Sequence, residues 1–255
     1  MPEAVTLPKG TQPEGATTEQ EASRKVREMF TRIAPRYDLL NHLLSGQMDK
    51  RWRARTAKEL QPILEREDAQ VLDLCCGTGD LAFSLARNAQ AKIVGADFSH
   101  TMLVRAREKA ASEANGKAPI PFFEADALHL PFADGSFDLV TTAFGFRNLA
   151  NYEAGLREIY RVLKPGGSVA ILEFTEPEPG LMGEAYRFYC QKVLPVVGGW
   201  ISGDAAAYAY LPKSVARFFR PSELADLMKR VGYGEVRIVL MMLKSVALHI
   251  GRKQM

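Results

Sequence analysis

Residues 71–80 read Val-Leu-Asp-Leu-Cys-Cys-Gly-Thr-Gly-Asp, an apolar run followed by a glycine turn. This pattern is typical of a buried strand, a tight turn and the start of a helix. A second apolar run, residues 92–97, ends at Asp97, twenty residues beyond Gly77. In an open α/β sheet, glycines let the backbone approach a ligand, and the second acid can accept hydrogen bonds from both ribose hydroxyls. The two runs therefore predict a nucleoside pocket.

The turn lacks features that a dinucleotide site requires. It contains Gly77 and Gly79 but no third glycine, and Asp80 in the first helical turn would repel a diphosphate. S-adenosylmethionine carries no phosphate, and its amino-acid end needs an acid for the ammonium and backbone N–H groups for the carboxylate. We predict that Asp73 and the glycine turn bind that end and that Asp97 binds the ribose. A nicotinamide-dependent oxidoreductase is the alternative.

A third acid follows the next predicted strand, residues 120–124. There the chain continues as Ala-Asp126-Ala127. The Asp126 carboxylate can accept a hydrogen bond from the exocyclic amine of adenine, while the backbone N–H of Ala127 can donate one to a ring nitrogen. An ordinary turn explains Asp126 equally simply, but its place beside Asp73 and Asp97 at strand ends favours the adenine site.

Strands and helices alternate along the rest of the chain. The predicted strands are 70–74, 92–97, 120–124, 137–143 and 168–174, and the predicted helices between them are 80–88, 100–114 and 151–163. Residues 235–242 and 245–251 form two further strands that must pair antiparallel, because the turn between them is too short for a crossover helix. We predict an α/β, Rossmann-like, seven-stranded and mostly parallel sheet with an antiparallel C-terminal hairpin. This outline is usual in class I S-adenosylmethionine-dependent methyltransferases.

Composition indicates one soluble domain in the cytoplasm. The 255 residues are 47% hydrophobic and 25% charged, and the net charge of +3 is too small to indicate nucleic acid as a partner. Neither a membrane-spanning run nor a signal-peptide pattern is present. The three cysteines and four histidines have no metal-ligand spacing, so we predict no metal.

The N-terminal region divides into two parts. Residues 1–19 are rich in Pro, Gly, Thr and Glu and predict a disordered tail, and the methyltransferase domain then covers residues 20–255. Helical patterns over residues 20–60 predict a cap that carries ten Lys or Arg against five Asp or Glu within residues 21–60. This basic surface is either a solvated helix face or a contact with an anionic membrane leaflet.

Two longer motifs carry a family resemblance. Residues 37–46, Tyr-Asp-Leu-Leu-Asn-His-Leu-Leu-Ser-Gly, lead to Trp52-Arg53, and residues 144–149 read Phe-Gly-Phe-Arg-Asn-Leu after a predicted strand. Both resemble the ubiquinone/menaquinone biosynthesis C-methyltransferases, as does the insertion over residues 178–220. The resemblance extends over residues 25–252, and the double-cysteine turn is more similar to the demethylmenaquinone branch than to the ubiquinone branch.

The resemblance implies both the cofactor contacts and the reaction. The residues implied to contact S-adenosylmethionine are Thr78, Asp97, Asp126 and Ala127. Family members often have a serine where this chain has Ala143, so any contact through a hydroxyl is lost there. The implied reaction methylates a ring carbon of a prenylated hydroquinone, demethylmenaquinol in menaquinone biosynthesis. Methylation of 2-polyprenyl-6-methoxy-1,4-benzoquinol in ubiquinone biosynthesis is the alternative.

This reaction suggests roles for residues near the predicted fourth strand and in the cap. Loss of a hydroquinone proton makes the ortho carbon nucleophilic, and Arg147 is placed to stabilise the phenolate because it follows the strand at its carboxyl edge. Asn148 is expected to orient the ring oxygen, and Tyr37 to close the site against water. A surface salt bridge is the alternative role for Arg147, and helix packing is the alternative for Tyr37. His129 is a weaker candidate for the proton acceptor.

The polyprenyl tail of the implied substrate also predicts contact with a membrane. Because such a tail does not cross water, we expect peripheral contact with the inner face of the cell membrane, through the cap and the apolar residues 193–201. Core packing explains residues 193–201 equally well. The sequence leaves the oligomeric state open, a homodimer being one option.

Overall fold

A seven-stranded sheet forms the frame of the protein, with strand order β3-β2-β1-β4-β5-β7-β6. The computed structural model describes residues 9–112, 119–177, 180–189, 192 and 204–255. The strands are β1 (Gln70–Leu74), β2 (Lys92–Asp97), β3 (Phe122–Glu124), β4 (Phe137–Ala143), β5 (Leu163–Phe174), β6 (Tyr233–Met241) and β7 (Val246–Lys253). The first five are parallel, and β7 pairs antiparallel with both β5 and β6. The predicted fold class is confirmed.

Ten helices are described in these ranges. They are α1 (Glu19–Ile33), α2 (Tyr37–Leu44), α3 (Met48–Glu59), α4 (Gln61–Leu64), α5 (Asp80–Ala86), α6 (His100–Ser112), α7 (Tyr152–Val162), α8 (Leu181–Phe188), α9 (Ala205–Arg217) and α10 (Pro221–Val231). Short 3₁₀ turns cover Ala34–Arg36 and Phe146–Asn148. The helices α1 to α3 lie within the region predicted as a cap.

The burial of each strand agrees with its position in the sheet. The apolar side chains of β1 and β4, including Val71, Leu72, Leu139 and Val140, are inaccessible because helices cover both faces of the central sheet. In contrast, β6 lies at the edge and mixes exposed with half-buried positions. The strand β5 begins five residues earlier than predicted, since Leu163 already pairs with Phe137 before the register shifts.

The cap is held by one apolar face of α1. Thr18 caps this helix by accepting a hydrogen bond from the backbone N–H of Glu21 at 3.1 Å. Val26, Met29 and Ile33 follow at helical spacing and are buried. The cap therefore packs against the sheet domain and borders the site described below.

The sheet reverses its order between β1 and β4, which creates a crevice at the carboxyl ends of these strands. Two residues at this edge adopt positive φ angles although they are not glycine, Cys75 at 53° and Phe144 at 59°. Gly145 follows Phe144, and a Cβ added there would lie 2.4 Å from Cβ of Cys75. The segments that follow β1 and β4 thus turn sharply and lie very close together at the edge where the ligand is predicted to bind.

The N-terminal residues nearest the cap make more contacts than expected of a tail. Thr11 is buried, and its backbone N–H donates to the carbonyl of Leu149 at 2.8 Å. The carbonyl of Lys9 accepts from the backbone N–H of Tyr152, also at 2.8 Å. Residues 9–12 therefore pack on the domain, which disorder would not allow, whereas the domain boundary at residue 19 stays a prediction.

Within the described ranges, no helix has the length and the apolar character needed to cross a bilayer. The apolar residues 193–201, which the sequence singled out for membrane contact, lie outside the described residues.

Candidate active site

The first cavity lies at the carboxyl ends of β1, β2 and β4. Its walls include Tyr37, Gly77, Asp97, Phe98, Met102, Asp126, Ala127, Ala143 and Asn148. Six of the predicted site residues thus meet in one place, which we call the donor cavity. Phe98 and Met102 are apolar walls that the sequence reasoning missed. Phe98 directly follows Asp97, and Met102 lies in the first turn of the next helix, α6. Their closeness to Asp97 in the sequence was the signal that could have predicted them.

Asp97 organises the floor of the donor cavity. Its Oδ2 accepts a hydrogen bond from the backbone N–H of Gly77 at 2.9 Å, and its Oδ1 accepts one from Ser99 at 2.8 Å. Burial raises the pKa of Asp97 to about 6, although these two N–H groups act in the opposite direction. Each oxygen keeps a further lone pair, as a ribose diol requires.

Asp73 lies beneath this floor and does not line the cavity. Its Oδ1 accepts a hydrogen bond from the hydroxyl of Thr141 at 2.9 Å, while its buried Oδ2 has no hydrogen-bond partner among the described residues. Burial raises the pKa of Asp73 to about 7, against the hydrogen bond from the hydroxyl of Thr141, which lowers it. A buried carboxylate oxygen without a partner suits the ammonium group of S-adenosylmethionine.

Thr78 and Gly79 lie outside the described cavity walls. The Thr78 hydroxyl instead donates to Asp38 of the cap at 2.5 Å. Gly79 has φ of 87° and precedes the first residue of α5, where an added Cβ would lie 2.8 Å from the ring of Phe83. Their contacts in this structure support the turn and the cap, so direct cofactor contact by either residue stays a prediction.

Asp80 is neutralised by two cations. It forms ion pairs with Lys109 and with Arg53, the latter at 3.5 Å. Its repulsion of a diphosphate is therefore weaker than the sequence predicted. The missing third glycine remains as the local argument against a dinucleotide.

His42, Asp49 and Asp80 bring possible metal ligands within 4.8 Å of one another. Arg53 pairs with both carboxylates, and Lys109 pairs with Asp80. The protein's own cations therefore already balance this cluster. His129, the weaker candidate for the proton acceptor, is 85% exposed, with Nδ1 3.8 Å from Asp126 Oδ2.

A second cavity adjoins the first and lies between the cap, the ends of β4 and β5, and α9. We call it the acceptor cavity. It shares Phe30, Tyr37 and Phe144 with the donor cavity. Its other walls are largely apolar, with Met29, Ile33, Trp52, Phe174, Leu211 and Val215 among them, and the polar side chains include Asp49, Arg53, Arg147 and Tyr210. This is the composition of a site for an apolar molecule with a few polar groups.

Arg147 is the best-defined polar group of the acceptor cavity. Its Nη1 donates to Glu173 Oε1 at 2.8 Å and to the carbonyl of Phe144 at 2.5 Å, and its Nε donates to Ser214 Oγ at 3.3 Å. Its Nη2 makes no hydrogen bond with a described residue, which leaves this group for a ligand. Burial alone would lower the pKa of Arg147, but Glu173, together with Tyr210 and Tyr37, holds the pKa above its usual value.

Glu173 was missed by the sequence reasoning. Its side chain is completely buried, and its Oε2 accepts from the backbone N–H of Arg147 at 3.2 Å. The available signal was an acid in the otherwise apolar strand end Val-Ala-Ile-Leu-Glu-Phe, residues 169–174. A buried charge in such a strand requires a partner, and Arg147 is that partner.

Asn148 and Tyr37 lie at the boundary of the two cavities. Asn148 lines the donor cavity, and its Oδ1 accepts a hydrogen bond from the hydroxyl of Tyr210 at 3.0 Å. Tyr210, which the site prediction omitted, lines the acceptor cavity. Tyr37 lines both cavities, and burial raises its pKa while the charge of Arg147 opposes this. The predicted roles of Asn148 and Tyr37 stay predictions.

Solved structures of other proteins share the fold. A possible histamine N-methyltransferase from Thermotoga maritima, described as S-adenosylmethionine-dependent, superposes with a TM-score of 0.62 over 89% of this chain and 99% of its own, at 22% identity. A phosphoethanolamine N-methyltransferase from Haemonchus contortus has a TM-score of 0.55 over 78% of this chain and 53% of its own, at 17% identity. At such identities the likeness shows the fold alone.

Sequence relatives are much closer. A demethylmenaquinone methyltransferase from Thermus thermophilus is 52% identical over 88% of this chain and 99% of its own length. One from Deinococcus radiodurans is 49% identical over 84% and 87%. A ubiquinone/menaquinone biosynthesis C-methyltransferase from Geobacter sulfurreducens is 44% identical over 84% and 82%.

The profile of one methyltransferase family matches residues 17–253, nearly the whole chain. This match confirms the predicted family and the dependence on S-adenosylmethionine, and it removes the nicotinamide-dependent alternative. With the fold and the adjoining cavities, it establishes that the chain belongs to the ubiE/COQ5 methyltransferase family.

Proposed function

We propose that the protein methylates a ring carbon of demethylmenaquinol, and that the acceptor cavity binds the hydroquinone ring. The observation that carries this proposal is the oriented guanidinium of Arg147 in a largely apolar cavity that adjoins the donor cavity. The names of the relatives in Thermus and Deinococcus support a naphthoquinol. The name of the relative in Geobacter supports a ubiquinone precursor as the alternative acceptor.

The chemistry requires a stabilised phenolate close to an electrophile. Bound S-adenosylmethionine supplies a methyl group activated by its sulfonium. Arg147 would donate from Nη2 to the ring oxygen as negative charge develops, while Glu173 fixes the guanidinium plane. Arg147 stays protonated, so it stabilises charge and is not itself the base. The apolar walls would hold the ring carbon in line with the methyl group, about 3–3.5 Å away.

The donor-site roles are part of the same proposal. Asp97 would bind the ribose hydroxyls, Asp73 the ammonium, and Gly77 the carboxylate of the amino-acid end. Asp126 and the backbone of Ala127 would bind adenine, as their positions in the donor cavity support.

Assay of the acceptor tests the proposal. The purified protein is incubated with methyl-labelled S-adenosylmethionine and either reduced demethylmenaquinone or 2-polyprenyl-6-methoxy-1,4-benzoquinol, each dispersed in detergent. We expect faster labelling of the naphthoquinol, and no labelling of the oxidised quinone, which lacks the hydroxyl proton. Labelling of the benzoquinol alone would contradict the proposed acceptor, and labelling of neither would contradict the proposed reaction.

Donor binding is expected to release protons near neutral pH. Burial raises the pKa values of Asp73 and Asp97 to about 7 and about 6, so protonation of these carboxylates stabilises the ligand-free fold. This stabilisation is lost as the pH rises through these values. An ammonium bound to Asp73 requires the carboxylate, so binding at pH 7 should release about half a proton from this group.

Calorimetric titration in buffers of different ionisation enthalpy measures this release. The Asp73→Asn variant, which has no proton to lose at this position, should reduce it, whereas Asp226→Asn at an exposed position of α10 should leave it unchanged. Equal proton release from wild type and Asp73→Asn would exclude the assigned role of Asp73.

Peripheral contact with the membrane is a further part of the proposal. Helices α2 and α8 and the turn between β6 and β7 border the acceptor cavity, and each exposes apolar side chains. The exposed residues are Leu39, Leu43, Phe188, Met242 and Leu243. A surface of this kind would let a polyprenyl chain pass from a bilayer into the cavity.

Flotation with anionic liposomes measures the contact. We expect the wild type to float and Met242→Ser/Leu243→Ser to float at least threefold less, since about 2 kcal/mol of apolar contact is lost. Val104→Ser, at an exposed position of α6, is the matched control. Absence of wild-type protein from the lipid fraction would contradict membrane contact without affecting the proposed reaction.

A further inference from the structure

Residues 9–12 form a short segment that packs between residues 149–152 and α9. Two backbone hydrogen bonds pair it with residues 149–152, which directly follow the Arg147–Asn148 turn. Gly10 lies so close to this stretch that an added Cβ would be 1.8 Å from the carbonyl oxygen of Ala150. On its other side, Arg217 of α9 donates to the carbonyl of Gln12 at 3.0 Å. The segment therefore ties α9 to the turn that carries Arg147.

A chain of hydrogen bonds runs from this segment into the site. The hydroxyl groups of Thr11 and Tyr210 lie 2.7 Å apart, and the Tyr210 hydroxyl donates to Asn148 Oδ1 at 3.0 Å. Since the single proton of Tyr210 is used by Asn148, the Thr11 hydroxyl must be the donor to Tyr210. Thr11 is buried, so water does not readily replace it.

The chain joins the two cavities. Tyr210 lines the acceptor cavity and Asn148 lines the donor cavity. Thr11 touches neither cavity directly, but it orients the hydroxyl that connects them. Residues 9–12 also precede the stretch that matches the family, residues 17–253. Their role therefore does not follow from family membership.

We propose that residues 9–12 are a positioning strap, in which Thr11 fixes Tyr210 and Asn148 so that the two cavities keep the spacing that methyl transfer requires. The proposal rests on the proposed function in one respect, because it takes the acceptor cavity as the binding site of the hydroquinone. Thr11 is a positioning residue, since it acts through Tyr210 and does not touch either substrate.

Removal of the Thr11 hydroxyl tests the strap. Thr11→Val keeps the shape but removes the donor, and it should lower kcat/KM for the hydroquinone about fivefold, the effect of one net hydrogen bond. Thr11→Ser should restore the wild-type value. Gln12→Ala is the matched control, because the side chain of Gln12 is exposed and only its backbone is known to bind α9. The melting temperature and the affinity for S-adenosylmethionine are expected to stay near those of the wild type.

A double-variant cycle assigns the effect to the hydrogen-bond chain. Thr11→Val should have no further effect in the Tyr210→Phe background, because the acceptor of its hydrogen bond is already gone. An unchanged kcat/KM for Thr11→Val, or the same loss in both backgrounds, would overturn the proposal.

Hydrogen exchange supplies a readout that does not depend on the acceptor. Thr11→Val removes a hydrogen bond of the strap, and Gly10→Ala displaces the strap, so both variants should speed amide exchange in α9 and in residues 144–152. Unchanged exchange would overturn the proposal. A wild type that methylates neither hydroquinone would contradict the proposed function, whereas the exchange result would still decide the strap.

Discussion

Arg147→Lys is expected to lower kcat about 10²–10³-fold, the usual effect of removing one oriented donor to a developing oxyanion. Lysine keeps the positive charge beside Glu173 but has no second nitrogen held in a planar fork. Its ammonium must therefore either pair with Glu173 or reach the ring oxygen. The affinity for S-adenosylmethionine should change little, because Arg147 lines the acceptor cavity and is absent from the described walls of the donor cavity.

Steady-state kinetics with saturating donor, together with calorimetric donor binding, measures both effects. Arg157→Lys on α7 is the matched control, since Arg157 is exposed and its ion pair among the described residues is with Glu153 at the surface. A kcat within threefold of the wild type for Arg147→Lys would remove the proposed stabilisation of the phenolate.

The choice of lysine follows from the burial of Glu173. Alanine at position 147 would leave that carboxylate in the core without its cation, and breaking a buried pair costs about 3–5 kcal/mol of unfolding free energy. Lost activity in Arg147→Ala would then mix unfolding with chemistry. Glu173→Gln gives complementary information, because it keeps a hydrogen-bond acceptor for Arg147 but removes the charge that holds the guanidinium.

The fold was largely predictable because its signals are local. Each parallel strand contains an apolar run with a glycine or an acid at its end or within three residues of it, and the C-terminal hairpin follows from a short turn between two apolar runs. The early start of β5 was not predictable, since Pro165 and Gly166 indicate a break in the sequence. The structure instead accommodates them in one continuous strand, with Gly166 at φ of 77°.

The donor cavity was more predictable than the acceptor cavity. Asp97, Asp126 and Ala127 lie at strand ends, where parallel topology alone brings them together. The acceptor cavity is built from α1, α2, β5 and α9, so its partners come from distant parts of the chain. The contacts of Glu173 with Arg147 and of Thr11 with Tyr210 depend on packing that no local pattern encodes.

Asp97 combines two functions in a way that makes it sensitive to substitution. Its oxygens accept the N–H groups of Gly77 and Ser99, and these bonds join the glycine turn to the exit of β2. Asparagine has one acceptor oxygen, so its NH₂ group would face one of the two backbone donors. An unsatisfied buried group costs about 1–3 kcal/mol, and the charge that would bind the ribose is lost as well.

Asp97→Asn is therefore expected to weaken binding of S-adenosylmethionine about 100-fold or more, as measured by calorimetry. Asp126→Asn should weaken it less than tenfold, because Asp126 is 45% exposed and water can replace part of its contact. Stability should fall as well, by about 1–3 kcal/mol, because one of the two buried N–H groups loses its acceptor. In the wild type, the affinity should likewise decrease as the pH falls through about 6. A dissociation constant for Asp97→Asn within fivefold of the wild type would show that the donor is held elsewhere.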